Sequence, residues 1–258
     1  MKPRVAVFKF ASCDGCQLQF LNAEDELLKL AGQVDFAYFP EARSRALEGP
    51  YDIAFVEGSI TTPDDARRII KVREESRFLV TIGACATAGG IQALRNWADV
   101  EQYRRVVYPS PEFISTLSTS TPISEHVRVD FEVWGCPVDK HQLLAVVRSL
   151  LSKAQPVLPA YSVCMECKRR GNVCVIVARG EPCLGPVTRA GCGALCPAFN
   201  RGCYGCFGPA DDQNMESFAR LLTSQNVTGD DAMRRLRGIN GYVRPWRETA
   251  DAIAAGKK

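Results

Sequence analysis

Apolar, β-branched runs recur through the first half of the chain: RVAVFKF at 4–10, VDFAYFP at 34–40, DIAFVEGS at 52–59, RFLVTIGAC at 77–85 and VRVDFEVWGC at 127–136. Each has the length and composition of a buried strand. Helical patterns lie between them. One spans 17–31, with Leu18, Leu21, Leu27, Leu28 and Leu30; another spans 63–75, opened by Pro63, Asp64 and Asp65 after Thr62; a third spans 139–153, with Asp139 at the N-cap position. Strand alternating with helix predicts an α/β domain whose parallel sheet is covered on both faces. The segment 96–126 is less regular and predicts loops with a short helix.

The stretch QPVLPA at 155–160 breaks this alternation with two prolines, which places a domain boundary there and divides the chain into 1–156 and 157–258. From 164 to 206 the chain turns to glycine, proline and cysteine with few apolar runs. Such a segment buries too little aliphatic surface to offset its own ordering entropy, so a cross-linking group is expected in it. Helical patterning resumes at 212–224, 229–237 and 246–255, and no repeat of solenoid period is visible.

The 258 residues are 46% hydrophobic and 24% charged, with a net charge of +3, and the longest basic run is KRR at 168–170. That balance argues against a nucleic-acid surface. No window approaches the apolar length of a membrane span, and MKPR leads straight into a strand, so a cytoplasmic location is expected. Cytoplasmic thiols are kept reduced, which turns the 12 cysteines away from disulfides and towards metal or redox chemistry.

The cysteines fall into three groups of four. Cys13 and Cys16 follow the first predicted strand, and Cys85 and Cys136 end two later ones. In an open parallel sheet these are all carboxyl ends, where the crevice at the topological switch point receives ligands. Gly15, Gly83 and Gly135 suit close passage of backbone past a bulky inorganic group. The second group is Cys164, Cys167, Cys174 and Cys183; the third is Cys192, Cys196, Cys203 and Cys206. Thiolate tetrads serve both zinc and iron-sulfur clusters. The short, uneven gaps and the Cys196-Pro197 pair favour iron-sulfur, whereas zinc ribbons present two knuckles farther apart. Spacing alone does not fix how the last eight cysteines divide.

Taken together, SCDGCQLQFLN, FVEGSI, TIGACAT, WGCPVD and the block CMECKRRGNVC…GEPCLGPVTRAGCGALCP…RGCYGCFGP resemble the small, electron-transferring subunit of nickel-iron hydrogenases, over nearly the whole chain. The resemblance implies a flavodoxin-like domain with a proximal 4Fe-4S cluster on Cys13, Cys16, Cys85 and Cys136, followed by a loop-rich iron-sulfur domain with C-terminal helices. There it implies a distal cluster on Cys164, Cys167, Cys174 and Cys183 and a medial one on Cys192, Cys196, Cys203 and Cys206. Periplasmic relatives differ in carrying a twin-arginine leader, often a histidine where Cys164 stands, and frequently a proline in place of Cys196. The departures imply a cytoplasmic protein with three four-iron clusters, most like the delta subunit of bidirectional NADP-linked hydrogenases, also called sulfhydrogenases. Partners so implied are a large subunit carrying the nickel-iron centre, a flavin/NAD(P)H subunit and a ferredoxin-like iron-sulfur subunit. Coenzyme-F420-reducing and heterodisulfide-reductase-linked hydrogenases are close alternatives, and a zinc-stabilised scaffold is the alternative of a different class. The cluster-bearing chain of respiratory complex I resembles the same first domain, but it has two adjacent cysteines where this chain has CDGC. It also lacks the eight-cysteine extension.

No nickel site is visible, and no residue of this chain is assigned a catalytic role. Glu57 sits at a strand end on the crevice edge, either to influence the first tetrad or a proton route, or to cap a turn or pair with an arginine. Asp14 suits a tight turn. Lys168, Arg169 and Arg170 read as a solvated charge run beside the second tetrad, with docking of an acidic partner as the functional alternative. His126 and His141 read as structural.

Overall fold

The computed structural model describes residues 2–225 and 227–256. Its chain contacts separate two compact units, Met1–Pro156 and Val157–Lys258.

The first unit is built on five parallel strands, β1 (Arg4–Lys9), β2 (Asp35–Tyr38), β3 (Tyr51–Glu57), β4 (Ser76–Ile82) and β5 (Phe131–Val133). Their order across the sheet is β2-β1-β3-β4-β5, the doubly wound order of flavodoxin-like folds, with its switch point between β1 and β3. Helices α1 (Gly15–Leu21), α2 (Asp25–Gln33), α3 (Pro63–Glu74), α4 (Gly83–Ala88), α5 (Val100–Val107) and α6 (Lys140–Leu151) flank or follow the strands.

Strand side chains alternate between the two faces, so one set of residues lines each. Ala6, Phe8, Ala54, Val56 and Leu79 share a core with Ile69 and Val72 of α3. On the other face Phe20 of α1 meets Phe55 edge-on, with ring centroids 5.1 Å apart, and α1 packs on α6. Cover on both sides explains why the central strands read as nearly continuous apolar runs.

Local signals fix several boundaries. Thr62 and Asp65 form a capping box with Pro63 at the first helical position of α3. The Asp139 carboxylate accepts the amides of His141 and Gln142 at the start of α6.

Two expectations change. The helix expected at 17–31 is two, because the chain turns at Asn22–Ala23–Glu24, with Glu24 at φ 45°. Phe20 and Leu30 are both buried, and a straight helix would set them about 80° apart around its axis. The strand expected at 127–136 shrinks to Phe131–Val133. Before it, the Asp130 carboxylate accepts the Leu79 amide at 2.8 Å and pairs with Arg73 at 2.5 Å, while the Asp130 amide still donates to the Leu79 carbonyl at 3.0 Å.

The second unit contains α7 (Val163–Arg169), α8 (Val175–Arg179), α9 (Leu195–Ala198), α10 (Met215–Ser224), α11 (Gly229–Leu236) and α12 (Arg244–Ala254). The cysteine-rich stretch shares its core with later helices: Val163, Val175, Leu184 and Val187 join Phe218, Leu222, Leu236 and Trp246 in one buried cluster. The C-terminal helices supply the apolar surface that the stretch itself lacks. Among the described residues, no helix is long and apolar enough to cross a membrane.

Candidate metal centres

The loop after β1 carries Cys13, and Cys16 lies in the first turn of α1. Asp14 between them adopts φ 67°, with its carboxylate 2.6 Å from the Lys9 ammonium. Cys85 lies in the first turn of α4, directly after β4, and Cys136 follows β5. Because β1, β4 and β5 run parallel, all four cysteines arrive at one edge of the sheet. The Ala84 amide donates to the Gly135 carbonyl at 2.7 Å, which ties the Cys85 turn to the Cys136 loop. Burial pushes the Cys85 thiol up to about 11, with further upward contributions from charge on Cys136, Cys13 and Glu57. Burial likewise raises the Cys16 thiol, and Glu57, Cys85 and Cys136 add to it. Each of these thiols lies within electrostatic reach of others in the group.

Backbone without side chains makes room for this gathering. A Cβ on Gly83, at φ 84°, would stand 2.3 Å from the Cys16 sulfur, and one on Gly90, at φ 68°, would stand 2.7 Å from the Cys85 sulfur. Both positions therefore require glycine.

Glu57 is 1% exposed and accepts the Cys16 amide at 3.1 Å and the Gln17 amide at 3.2 Å. It caps α1, the helix after the neighbouring strand, and among the described residues it forms no ion pair with an arginine. Burial holds its carboxyl above the usual range while the Cys16 and Gln17 amides pull it down.

In the second unit Cys164 and Cys167 share α7, Cys174 stands at the N-cap of α8 and Cys183 lies beyond it. The Cys164 thiol is pushed up to about 11, first by burial and then by charge on Cys183, Cys167 and Cys174. A Cβ on Gly185 would meet the sulfurs of Cys183 and Cys164 at 3.3 and 3.5 Å, so these two thiols face the same point. Of the last four, Cys192 lies near Cys196 and Cys203 lies near Cys206. The Cys203 amide donates to the Cys183 sulfur at 3.1 Å, which brings this group against the previous one.

Among the described residues, no three His, Cys, Asp or Glu side chains close on a point as one ion requires. Zinc draws four thiolates to about 2.3 Å of a single centre, whereas an iron-sulfur cube carries each thiolate on a different iron. Thiols within electrostatic reach of one another, glycine-lined approaches and an amide bonded to sulfur suit a bulky group held by several thiolates.

Three supporting residues, Gln92, Glu166 and Glu181, are not among those the sequence singles out. The Gln92 carboxamide donates to the Ala11 carbonyl at 2.6 Å and the Ser59 hydroxyl at 3.0 Å, with its oxygen 3.7 Å from the Cys85 sulfur. Glu166 accepts the amides of Gly191 and Ala194, and Glu181 accepts that of Gly202 beside Cys203. Glu166 lies inside a C-x-x-C pair and Glu181 lies two residues before a cysteine, which was a usable signal; Gln92 offered none. In the basic run, Arg169 stacks over Tyr161 with 5.3 Å to the ring centroid, and Arg170 donates to the Gly193 carbonyl at 2.7 Å. His126 bonds Thr121 at 2.7 Å through its Nε2.

The family described as NADH ubiquinone oxidoreductase, 20 Kd subunit, matches residues 13–150. The chain is 35% identical over 234 residues to sulfhydrogenase 2 subunit delta of Pyrococcus furiosus, covering 91% of this chain and 98% of that one. It is 29% identical over 262 residues to a subunit of the F420-non-reducing hydrogenase of Methanococcus voltae, covering 90% and 91% respectively. A chain in the crystal structure of an NAD+-reducing [NiFe]-hydrogenase in the H2-reduced state superposes with a TM-score of 0.58 at 31% identity, covering 62% of this chain and 96% of that one. The parallel sheet with cysteines at its strand ends, and the likeness along nearly the whole length, make this chain a member of the NADH ubiquinone oxidoreductase 20 kDa subunit family and, within it, an iron-sulfur small subunit of a nickel-iron hydrogenase.

Proposed function

We propose that this chain carries electrons for a cytoplasmic hydrogenase of the sulfhydrogenase type, with three four-iron clusters. Cys13, Cys16, Cys85 and Cys136 hold the proximal one, Cys164, Cys167, Cys174 and Cys183 the distal one, and Cys192, Cys196, Cys203 and Cys206 the medial one. The observation that carries the reading is the arrival of four cysteines, distant in sequence, at one carboxyl edge of the parallel sheet. When bound, such clusters supply one-electron redox centres whose potentials depend on local charge, hydrogen bonds to sulfur and exposure.

The chain's own residues set those conditions. Glu57 fixes the Cys16 turn through two amides, Gly83 and Gly90 leave space beside sulfur, and the Cys203 amide points at the Cys183 sulfur. Cys13 and Cys136 are exposed, which suits a first site that a large subunit covers. In this reading the large subunit carries the nickel-iron centre, and a flavin/NAD(P)H subunit and a ferredoxin-like subunit complete the assembly, in keeping with the sulfhydrogenase and NAD+-reducing relatives. A heterodisulfide-reductase-linked assembly is the second reading; the likeness to an F420-non-reducing hydrogenase subunit supports a hydrogenase that does not reduce coenzyme F420.

Metal analysis of the anaerobically purified complex tests the proposal. About twelve irons and twelve acid-labile sulfides per chain are expected, with brown colour that bleaches under dithionite. A colourless chain with about three zinc ions overturns it.

A further inference from the structure

Residues 191–194 form a turn that its own sequence does not hold. Gly191, Gly193 and Ala194 adopt φ of 137°, 64° and 52°, and Ala194 does so as a fully buried L-residue, a conformation disfavoured without outside support. That support comes from α7. The two Glu166 carboxylate oxygens accept the Gly191 amide at 3.0 Å and the Ala194 amide at 3.2 Å. From the C-terminal end of the same helix, Arg170 donates to the Gly193 carbonyl at 2.7 Å. The turn is thus gripped at amides by an anion and at a carbonyl by a cation. Cys192 is the second residue of this turn, so its placement depends on the same bonds. Glu166 itself lies between Cys164 and Cys167.

We propose that Glu166, with Arg170, is a positioning pair through which the helix of one cysteine tetrad shapes the ligand loop of the next, so that the Cys192 site depends on α7 for assembly and for potential. This inference rests on the proposed function, since it assigns the Cys192 turn to a cluster. Glu166 acts through the turn and through its charge beside Cys192. Charge-assisted bonds to backbone amides are the strong kind, and among the described residues no other carboxylate bonds these two amides.

The test uses the complete complex carrying Glu166→Ala, Glu166→Gln or Arg170→Ala, with Cys192→Ser to identify the spectroscopic signal of that site. For Glu166→Ala, iron should fall from about twelve to about eight per chain, and the missing signal should be the one that Cys192→Ser alters. Glu166→Gln keeps one acceptor and loses the charge, so it should retain iron and shift that cluster to a more positive potential by more than it shifts the cluster of Cys164 and Cys167. Arg170→Ala should lower occupancy of the same site, by less than Glu166→Ala. Full iron and unchanged potentials in the two Glu166 variants overturn the inference while leaving the proposed function standing, as does equal loss of both clusters in the second unit. A wild-type complex without iron-sulfur clusters overturns both.

Discussion

The carboxylate of Glu57, at the end of β3, accepts the backbone amide of Cys16 at 3.1 Å, across the switch point of the sheet. It is 1% exposed, so the bond stands in place of water. Replacing it as Glu57→Gln leaves one acceptor for two amides and turns an N–H group towards the other. The expected cost is about 1–3 kcal/mol, the penalty of an unsatisfied buried donor. Denaturant unfolding of the apo chain should show it as a lowered midpoint without a changed slope.

Gly83→Ala should be far more damaging than its size suggests. A methyl there would stand 2.3 Å from the Cys16 sulfur on backbone at φ 84°, so both the thiol and the backbone must move. Iron should drop from about twelve to about eight per chain. Gly32→Ala is the control: Gly32 lies in α2 with nothing within 4 Å of an added methyl, and that variant should keep all its iron and gain about 0.5–1 kcal/mol.

Asp130 secures the strand that delivers Cys136. Its carboxylate takes the Leu79 amide and the Arg73 guanidinium, so Asp130→Ala strands a partly buried amide and a cation. Hydrogen bonds to charged groups of this kind contribute roughly 1.5–3 kcal/mol. Hydrogen exchange should show faster opening of β5 and of the Cys136 loop than of β1 and β3.

Trp246 supports the Cys203–Cys206 loop from below. It is 1% exposed, donates to the Gln213 side chain at 2.7 Å and packs where a Cβ on Gly205 would stand 2.6 Å from its ring. Trp246→Ala should cost about 3–5 kcal/mol. The expected consequence is loss of the signals from the second unit while the first-unit cluster signal remains, measured by iron content and spectroscopy.

How much of this was legible in the chain depends on distance along it. The five strands announced themselves because β-branched runs buried on both faces admit few polar interruptions, and the capping box of Thr62 and Asp65 is written within four residues. The parallel α/β architecture followed from alternation alone, and the cysteine motifs carried the likeness to hydrogenase small subunits. The break at Asn22–Glu24 was not legible, since a leucine-rich stretch gives no sign of which residues the rest of the fold will bury.

Tertiary structure alone decided what lies beside each cysteine. Glu57 and Cys16 are 41 residues apart, and Glu166 and Ala194 are 28 apart; nothing local directs one to the other. The core beneath the cysteine-rich stretch is likewise borrowed from helices that begin after its last cysteine. Helices, caps and strands are set by bonds and side-chain patterns spanning a few residues, so sequence specifies them. Which carboxylate finds which amide is decided only when packed elements exclude water and leave each buried donor a single acceptor within reach.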